Sequence, residues 1–461
     1  MPSILSANTL SSDYDVANSV RFDDASNCQM RRAGVSGGNQ DKFTLSMWIK
    51  RSAISTDHPR LFTSVASNDD RFEIYFENTD ELHIEGVDNG TATLNLVTSR
   101  KFRDVSAWYH ILLAVDTGQG TEANRAKLYI NGVLETAFGT STRPDQDGNI
   151  GINTNSFPLQ IGEAASYGVD FDGYFAEIVF LDGTQSANTD FGKFDSDSGI
   201  WKPIDVEGLS SSKGNNGFYL DFEASGNLGN DVFGGTDFSE ANLAAIDQTT
   251  DTCTNNFCVI NPLVNGTQTN SRNPTLSEGN TFLTNTSGAW MNCFSSFAVN
   301  SGKWYFEIKP TLHGTSYVHA GIYAVDDWQN ESSGWPNFGG AANSWSYDSD
   351  GNIVNNDENE DTNPDTYTTN DIIGIAVDLD NNKFYAYKNN SLQISGGSTI
   401  TANTEYYFGG MGYNSNIGFN FGNPPYANSS DAADANGYGA FEFAPPSGYY
   451  SINTKNLAEY G

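Results

Sequence analysis

Short segments in which apolar and polar residues alternate are the feature that most constrains this chain. Residues 43–50, 71–77 and 302–309 each place their alternate apolar side chains on one face, as a half-buried strand does. Asn131-Gly132 stands between two strand-like flanks, and this dipeptide favours a type I′ hairpin turn, which needs a positive φ at both central residues. No stretch of the sequence shows a sustained helical period with caps. The sequence therefore predicts an all-β fold.

The strand-like segments fall into two halves of the chain. With 461 residues, 13% aromatic residues and 46 glycines, the chain is long enough for more than one core and rich in turn formers. Between the halves Asp, Asn, Thr, Ser and Gly dominate, and residues 217–222 are the clear strand. We therefore predict two antiparallel β-sandwich (jelly-roll) domains at residues 1–185 and 276–461, joined by an irregular, extended connector at residues 186–275.

The charge balance excludes two classes of partner. There are 57 acidic and 23 basic residues, which gives a formal net charge of −34. Such a field repels nucleic acid and anionic membranes, so neither is a predicted partner. No run of residues approaches the roughly 18 apolar residues that a membrane helix needs, and no targeting segment is visible at the start. We therefore expect a soluble protein that does not insert into a membrane.

The four cysteines give little sign of a metal site or a disulfide framework. They are widely spaced except for Cys253 and Cys258, and none has a CxxC partner. These two residues can close a small disulfide loop or remain thiols of a protein made in a reducing cytoplasm, and we favour thiols. His313 and His319 lack a third ligand, so zinc is not predicted.

The first half carries a resemblance to a known family. Residues 47–50, the strand 108–116, the hairpin 128–132 and residues 171–178 resemble, in order and spacing, the concanavalin-A-like, laminin-G-like sandwich over about residues 15–185. The resemblance implies a jelly-roll of two packed sheets, a fold often used to bind glycans. The family also includes glucanases, whose catalytic strand carries Glu-x-Asp-x(x)-Glu.

The sequence does not contain that catalytic strand. The carboxylates between Glu77 and Glu85 do not have the required spacing. Neither a nucleophile elbow nor a phosphate-binding loop is present, and nothing points to a Ser/His/Asp triad. We therefore predict no catalytic residues and no enzyme activity.

The second half resembles a different family. Residues 302–308, 373–380, 384–390 and 419–426 resemble the strands of a SPRY domain over about residues 276–445. This resemblance implies a second β-sandwich that is used for recognition and has no catalytic residues.

Three further segments resemble parts of tailed-phage proteins. Residues 199–203 and 247–257 resemble the linker that joins such a sandwich to a second one, and residues 444–457 resemble the tail that follows the second module. The resemblance implies a virion-surface protein, made in the host cytoplasm, that acts as a tail fibre or as a head-surface fibre or decoration. Its expected partners are further copies of itself in a homotrimer, other virion proteins, and a host-surface glycan or receptor. A purely structural decoration protein and a glycan depolymerase remain alternatives.

A cluster of tryptophans suggests where a ligand binds. Trp328, Trp335 and Trp345 lie close together in sequence that reads as a loop, with asparagines between them. Indole faces stack on the apolar faces of sugars, and amides bind the hydroxyls. The predicted glycan or receptor site comprises Trp328, Trp335, Trp345, Asn337 and Asn343. A subunit contact and plain packing are the alternative roles.

An acidic run follows these tryptophans. Residues 345–382 contain ten acidic residues and no basic one, and Asp348 and Asp350 supply closely spaced oxygen ligands. The EF-hand order requires Gly where Ile353 stands, so that motif is absent. Calcium at Asp348 and Asp350 is the one possible cofactor, and a solvated acidic loop is the alternative.

Overall fold

The computed structural model describes residues 14–34, 36–54, 57–153, 157–163, 169–264, 274–286, 288–313, 317–330 and 337–461. Strands account for 44% of the structure and helices for 7%, which confirms the all-β prediction. The chain divides into two compact units, with the division between Thr254 and Asn255. None of the helices in the described ranges is long and apolar enough to cross a membrane.

The first unit contains the following strands: β1 (Ser19–Phe22), β2 (Gln29–Arg32), β3 (Lys42–Arg51), β4 (Arg60–Ser67), β5 (Asp70–Phe76), β6 (Glu81–Asp88), β7 (Thr91–Lys101), β8 (Trp108–Asp116), β9 (Ala126–Ile130), β10 (Val133–Leu134), β11 (Phe138–Thr142), β12 (Leu159–Ile161), β13 (Gly173–Asp182), β14 (Gly192–Phe194), β15 (Trp201–Pro203), β16 (Phe218–Leu220), β17 (Ser239–Ala241) and β18 (Gln248–Thr249). Short 3-10 helices occur at Asp24–Ser26, Glu122–Asn124, Asn188–Asp190, Glu207–Ser212 and Ala245–Asp247.

Two large antiparallel sheets form the first unit. Sheet I has the order β10-β9-β8-β3-β13-β1-β18, with β16 also pairing with β13, and sheet II has the order β11-β7-β6-β5-β4-β12-β2-β17. Alternate apolar residues of both sheets share one core, in which Phe43 of sheet I meets Phe72 of sheet II edge-on at 5.5 Å. Asn131 and Gly132 have φ values of 49° and 75°, as a type I′ turn requires.

Residues 186–254 belong to the first unit, so the structural division differs from the predicted boundaries at 185 and 276. Three of their short strands extend the two sheets, because β16 pairs with β13, β17 with β2 and β18 with β1, while β14 and β15 pair with each other in a separate two-stranded sheet. Buried polar contacts supplement this pairing. The Asp251 carboxylate lies 2.8 Å from the Lys50 ammonium and accepts a hydrogen bond from Trp108 Nε1 at 3.1 Å. Residues 186–254 are therefore an integral part of the first unit despite their polar composition.

The second unit contains the following strands and helices: β19 (Thr275–Ser277), β20 (Phe282–Thr284), β21 (Trp290–Val299), β22 (Lys303–His313), β23 (Val318–Ala324), α1 (Val325–Asn330), β24 (Ser344–Asp348), β25 (Ile353–Asn355), β26 (Glu358–Asp361), β27 (Ile373–Asp378), β28 (Lys383–Lys388), β29 (Ser391–Leu392), β30 (Ser398–Thr399), β31 (Tyr406–Tyr413), β32 (Ser415–Asn420), β33 (Tyr450–Ser451) and α2 (Thr454–Tyr460).

Two sheets also form the second unit. Sheet III has the order β19-β20-β32-β22-β27-β28-β29, with β30 pairing with β28 and β33 with β22. Sheet IV has the order β21-β31-β23-β24-β25-β26. Phe306 of sheet III meets Phe408 of sheet IV edge-on at 5.9 Å, so the core lies between the sheets. The Asn-rich turns behave as expected, since Asn382 and Asn389 both have positive φ values.

Candidate functional site

Trp345 lies in a strand and not in the loop that the sequence predicts. It is on β24, where Ser344, Ser346 and Asp348 point to one side of sheet IV and Trp345 points to the other. Its side chain is only 4% exposed and meets Tyr406 edge-on at 6.3 Å within the core. This burial favours plain packing, one of the alternative roles, over ligand stacking for Trp345.

The other two predicted indoles do not complete a platform. Trp328 lies on the short helix α1, and its half-buried ring meets Phe294 at 6.4 Å and Tyr407 at 6.3 Å. Its Nε1 is buried, and no described residue accepts a hydrogen bond from it. Trp335 lies outside the described residues. The structure therefore does not bring Trp328 and Trp345 onto one accessible surface.

The two predicted asparagines make local hydrogen bonds in the segment that precedes β24. Asn343 donates its backbone N–H to Asp327 at 2.9 Å, and its side-chain oxygen accepts from Thr401 at 2.6 Å. Asn337 accepts the backbone N–H of Gly340 in a turn, while its side-chain oxygen is buried and accepts no hydrogen bond from the described residues. Asn343 thus serves the local structure, and Asn337 retains one unused acceptor.

Asp348 and Asp350 do not form a cluster of cation ligands. The Asp348 carboxylate accepts the backbone N–H of Asn352 at 2.8 Å and its amide N–H at 2.9 Å, which closes its own turn. Asp350 is exposed within that turn. Across the described ranges there is no group of three or more His, Cys, Asp or Glu side chains arranged to hold a metal ion. The calcium hypothesis gains no support from this geometry.

The outward side of sheet IV carries an aromatic row, which comprises Trp290, Tyr413 and Tyr317. Trp290 is the first residue of β21 and pairs with Tyr413, the last residue of β31. Tyr413 donates its backbone N–H to the carbonyl of Tyr317, which directly precedes β23. The Trp290 and Tyr317 rings are 6.0 Å apart and inclined by 21°, and Tyr413 meets Trp290 edge-on at 5.6 Å.

The aromatic row is accessible. Tyr317 is 46% exposed, and the other two rings are half-buried. Part of this side of the sheet is covered, since Phe294, Tyr323, Phe338 and Met411 form a buried cluster against which Trp290 packs. Large aromatic side chains at a surface are costly to hydrate, so the three rings at the edge of that cluster indicate a contact surface. The outward direction follows from strand alternation, since Met291, Phe408 and Val318 on the same strands point into the core.

A polar row crosses sheet IV beside the aromatic row. Strand register places Asn292, Met411, His319 and Asp348 next to one another in that order. The His319 ring meets Trp290 edge-on at 5.7 Å, and its Nδ1 lies 3.0 Å from Ser346 Oγ. Met411 is apolar and Asp348 is buried, so the half-buried His319 is the member of this row that places a polar atom beside the ring faces.

The protonation of His319 follows from its neighbours. Ser346 Oγ donates its one proton to the carbonyl of Phe338 at 3.1 Å, so it accepts from His319 Nδ1–H. Nε2 then carries the lone pair of a neutral imidazole. Desolvation lowers the pKa of His319 to about 3, which keeps the ring neutral at physiological pH.

The sequence contains signals for these rows that were missed. Trp290 begins an alternating segment in which Asn292 and Phe294 share its face, and Tyr413 ends another. Their meeting depends on which strands are neighbours and in which register, and that pairing joins residues more than a hundred positions apart.

The first unit contains one cross-strand pair of carboxylates on sheet II that bears on catalysis. Glu73 and Glu85 are direct partners on β5 and β6. Arg71 lies 3.2 Å from Glu73 and 2.9 Å from Glu85, and Arg60 lies 3.2 Å from Glu73. Guanidinium groups thus neutralise both carboxylates, which opposes their use as a proton donor and a nucleophile.

All four cysteines are buried thiols. Desolvation raises the pKa of Cys253 well above its usual value, so this sulfur stays protonated and unreactive. Thiols at Cys253 and Cys258 agree with the alternative that we favoured from the sequence.

Comparison with known proteins identifies the two sandwiches. Residues 23–189 match the family model of the concanavalin A-like lectin/glucanases superfamily, and residues 303–424 match that of the SPRY domain. No curated protein sequence matches the chain.

Three solved structures illustrate the similarity. The SPRY domain of human HERC1 is 16% identical, with a TM-score of 0.28, and the match covers 35% of this chain and 96% of that one. A heptameric SAP-like pentraxin from Limulus polyphemus is 15% identical, with coverage of 38% and 80% and a TM-score of 0.27. A Bacteroides ovatus protein described as a candidate carbohydrate binder is 15% identical, with coverage of 50% and 59% and a TM-score of 0.33. At these values the structural matches carry no assignment of function. The two family models, together with the observed sheets, show that this chain carries a concanavalin A-like, laminin G-like domain followed by a SPRY domain.

Proposed function

We propose that this chain is a virion-surface protein of a tailed phage, a tail fibre or a head-surface fibre or decoration, that binds a host-surface glycan or receptor without catalysis. The observation that carries the binding role is the accessible aromatic row on the outward side of sheet IV. Exposed aromatic side chains beside polar atoms suit recognition, because rings supply contact area with little loss of conformational freedom.

Binding without catalysis agrees with the chemistry of both units. Both domains are lectin-like or recognition folds, and the paired carboxylates of sheet II are held by Arg60 and Arg71. A glycan depolymerase needs one carboxyl group that can donate a proton beside a second that can attack or activate water. Glu73 and Glu85 are partners of each other but are not available for those roles.

The virion assignment draws on the resemblance of residues 199–203, 247–257 and 444–457 to phage proteins. The same resemblance supports assembly as a homotrimer that contacts other virion proteins. A net charge of −34 disfavours binding to nucleic acid and anionic membranes. The structural-decoration alternative differs in one respect, because it requires no host contact at all.

Cell binding by matched variants tests the proposal. Fluorescently labelled protein is incubated with a panel of bacterial strains, and the cell-bound fraction is measured for wild type, Tyr317→Ala and Leu392→Ala. Tyr317 and Leu392 are 46% and 47% exposed, but Leu392 lies on sheet III, so its variant controls for loss of surface area alone. We expect a strain that binds wild type and Leu392→Ala and loses Tyr317→Ala. Equal binding by all three proteins, or binding to no strain, contradicts the proposal.

A further inference from the structure

We propose that the ligand of the aromatic row is an uncharged pyranoside, which stacks on the exposed rings and donates a hydroxyl proton to His319 Nε2. The inference rests on the proposed function and names the ligand class of the same site. Three properties of the outward side of sheet IV support it: the arrangement of the rings, the kind of polar atom that is left unused, and the absence of cationic side chains in the two rows.

The rings are arranged for stacking against a flat apolar face. Trp290 and Tyr317 are close to parallel, and Tyr317 is the most exposed of the three. Tyr413 supports Trp290 edge-on, which holds the indole in place. A pyranose presents C–H groups on one face and hydroxyls around its rim, so a sugar ring on the exposed face of Tyr317 directs its hydroxyls sideways, where His319 follows two residues later on the same side of the sheet.

The unused polar atoms of the polar row are hydrogen-bond acceptors. His319 Nδ1–H is taken by Ser346, and the described residues make no hydrogen bond to Nε2. The side-chain oxygen of Asn292 is buried and accepts no hydrogen bond from the described residues, so His319 Nε2 is the acceptor that is left for a ligand. A ligand that satisfies acceptors has to supply donors, and the hydroxyl groups of a sugar are donors of the right size.

The charge of this surface disfavours the binding of anionic sugars. Among the described residues that form the aromatic and polar rows there is no Lys or Arg, and the charged member is Asp348. The His319 imidazole is neutral. A carboxylate, sulfate or phosphate on the sugar would lose its hydration without gaining a cationic partner and would face a chain of charge −34. The uncharged sugar is therefore preferred.

Matched sugar pairs test the ligand class directly. The probes are methyl galactoside with methyl galacturonide, and methyl glucoside with methyl glucuronide, so each pair differs by one carboxylate. Binding is measured by saturation-transfer NMR and calorimetry for wild type, Tyr317→Ala, His319→Phe and Leu392→Ala. His319→Phe keeps an aromatic ring beside Trp290 but removes the acceptor. Thermal unfolding of each variant shows whether the fold is retained.

We expect at least one uncharged sugar to bind more tightly than its acidic partner. Tyr317→Ala is expected to weaken that binding at least fivefold, or roughly 1 kcal/mol, and Leu392→Ala to leave it unchanged. An O-methyl derivative that removes the donated proton should weaken binding to wild type but not to His319→Phe, which a purely structural role of His319 would not produce.

Four other results overturn the inference. Tighter binding of the acidic sugar refutes the uncharged ligand class. Sugar binding that Tyr317→Ala leaves intact refutes the location of the site. In both cases the proposed glycan binding itself still stands. Failure of every sugar to bind, with cell binding still lost in Tyr317→Ala, refutes a sugar ligand and leaves a protein receptor at this surface. Failure of both sugar and cell binding refutes the proposed function together with the inference.

Discussion

Trp290 and Trp345 lie on strands of the same sheet but point to opposite sides of it. Trp345 is enclosed between sheets III and IV, whereas Trp290 lies on the outward side with Tyr317 and Tyr413. Both directly follow small residues, Ala289 and Ser344, and their local composition does not separate them. The difference comes from strand alternation within a fixed register, which decides the role of each indole.

Truncating Trp345 is expected to destabilise the second unit. Trp345→Ala removes a large buried ring from the core and should lower the free energy of unfolding by about 3–5 kcal/mol. Urea unfolding followed by tryptophan fluorescence and circular dichroism measures the change. Tyr317→Ala serves as the control and should change stability by no more than about 0.5 kcal/mol, because its ring lies at the surface. Unchanged stability with lost cell binding in Trp345→Ala would instead restore this residue to the ligand site.

Sugar binding is expected to be independent of pH over the physiological range. The pKa of His319 is lowered to about 3, so Nε2 is an acceptor above that pH and gains a proton below it. Binding should therefore be constant between about pH 5 and pH 8 and fall only in more acidic solution. Calorimetric titrations at several pH values measure this. A midpoint near the ordinary imidazole value of about 6.5 would show that the ring is charged in part of the physiological range.

At the scale of elements, short strands from residues 186–254 extend both sheets of the first unit. Phe218, Leu220, Phe222, Leu228 and Phe238 all belong to the core that sheets I and II enclose. The sequence marks Phe218, Leu220 and Phe222 as one alternating strand, but Leu228 and Phe238 stand singly between polar residues, and nothing local shows which core they join. Their burial in this core depends on the pairing of their strands with strands that lie earlier in the sequence, such as β16 with β13.

A chain that ends at residue 185 is therefore not expected to fold, whereas one that ends at residue 254 is. The shorter chain loses β16 beside β13 and the five core residues named above, and it exposes the apolar surface that they cover. Circular dichroism and thermal unfolding of both chains provide the measurement. A cooperative transition in the shorter chain, with a midpoint close to that of the longer one, would show that residues 186–254 are an independent connector.

The parts that could be predicted from the sequence are local. Asn131-Gly132 predicts a hairpin because these two adjacent residues readily adopt the positive φ values that its turn needs. The alternation of apolar residues within segment 302–309 predicts which face of that strand is buried. The family resemblances then supplied the two sandwiches. The aromatic row could not be predicted in the same way, because it needs the neighbours of β21, β31 and β23 in sheet IV, and these are set by contacts distant in sequence.

For the whole molecule, we expect no glycan hydrolysis. Glu73 and Glu85 are neutralised by arginines, and the candidate site on sheet IV offers ring faces and acceptors without a paired acid and base. Incubation with capsular polysaccharide and lipopolysaccharide from a strain that binds the protein, followed by measurement of reducing ends, tests this. The heat-treated protein is the control. Release of reducing ends above that control, abolished by Glu85→Gln, would identify a depolymerase.

The three rings of the aromatic row stand at the beginning of β21, at the end of β31 and immediately before β23. The three rings are far apart in sequence, and the residues next to them on the same strands point into the core. A mutation at Tyr317, the most exposed of the three, therefore alters the contact surface with little effect on the buried packing, whereas Trp290 and Tyr413 contact each other and vary together. What this surface contacts can therefore change by single codons at that exposed ring, while the buried scaffold is left intact.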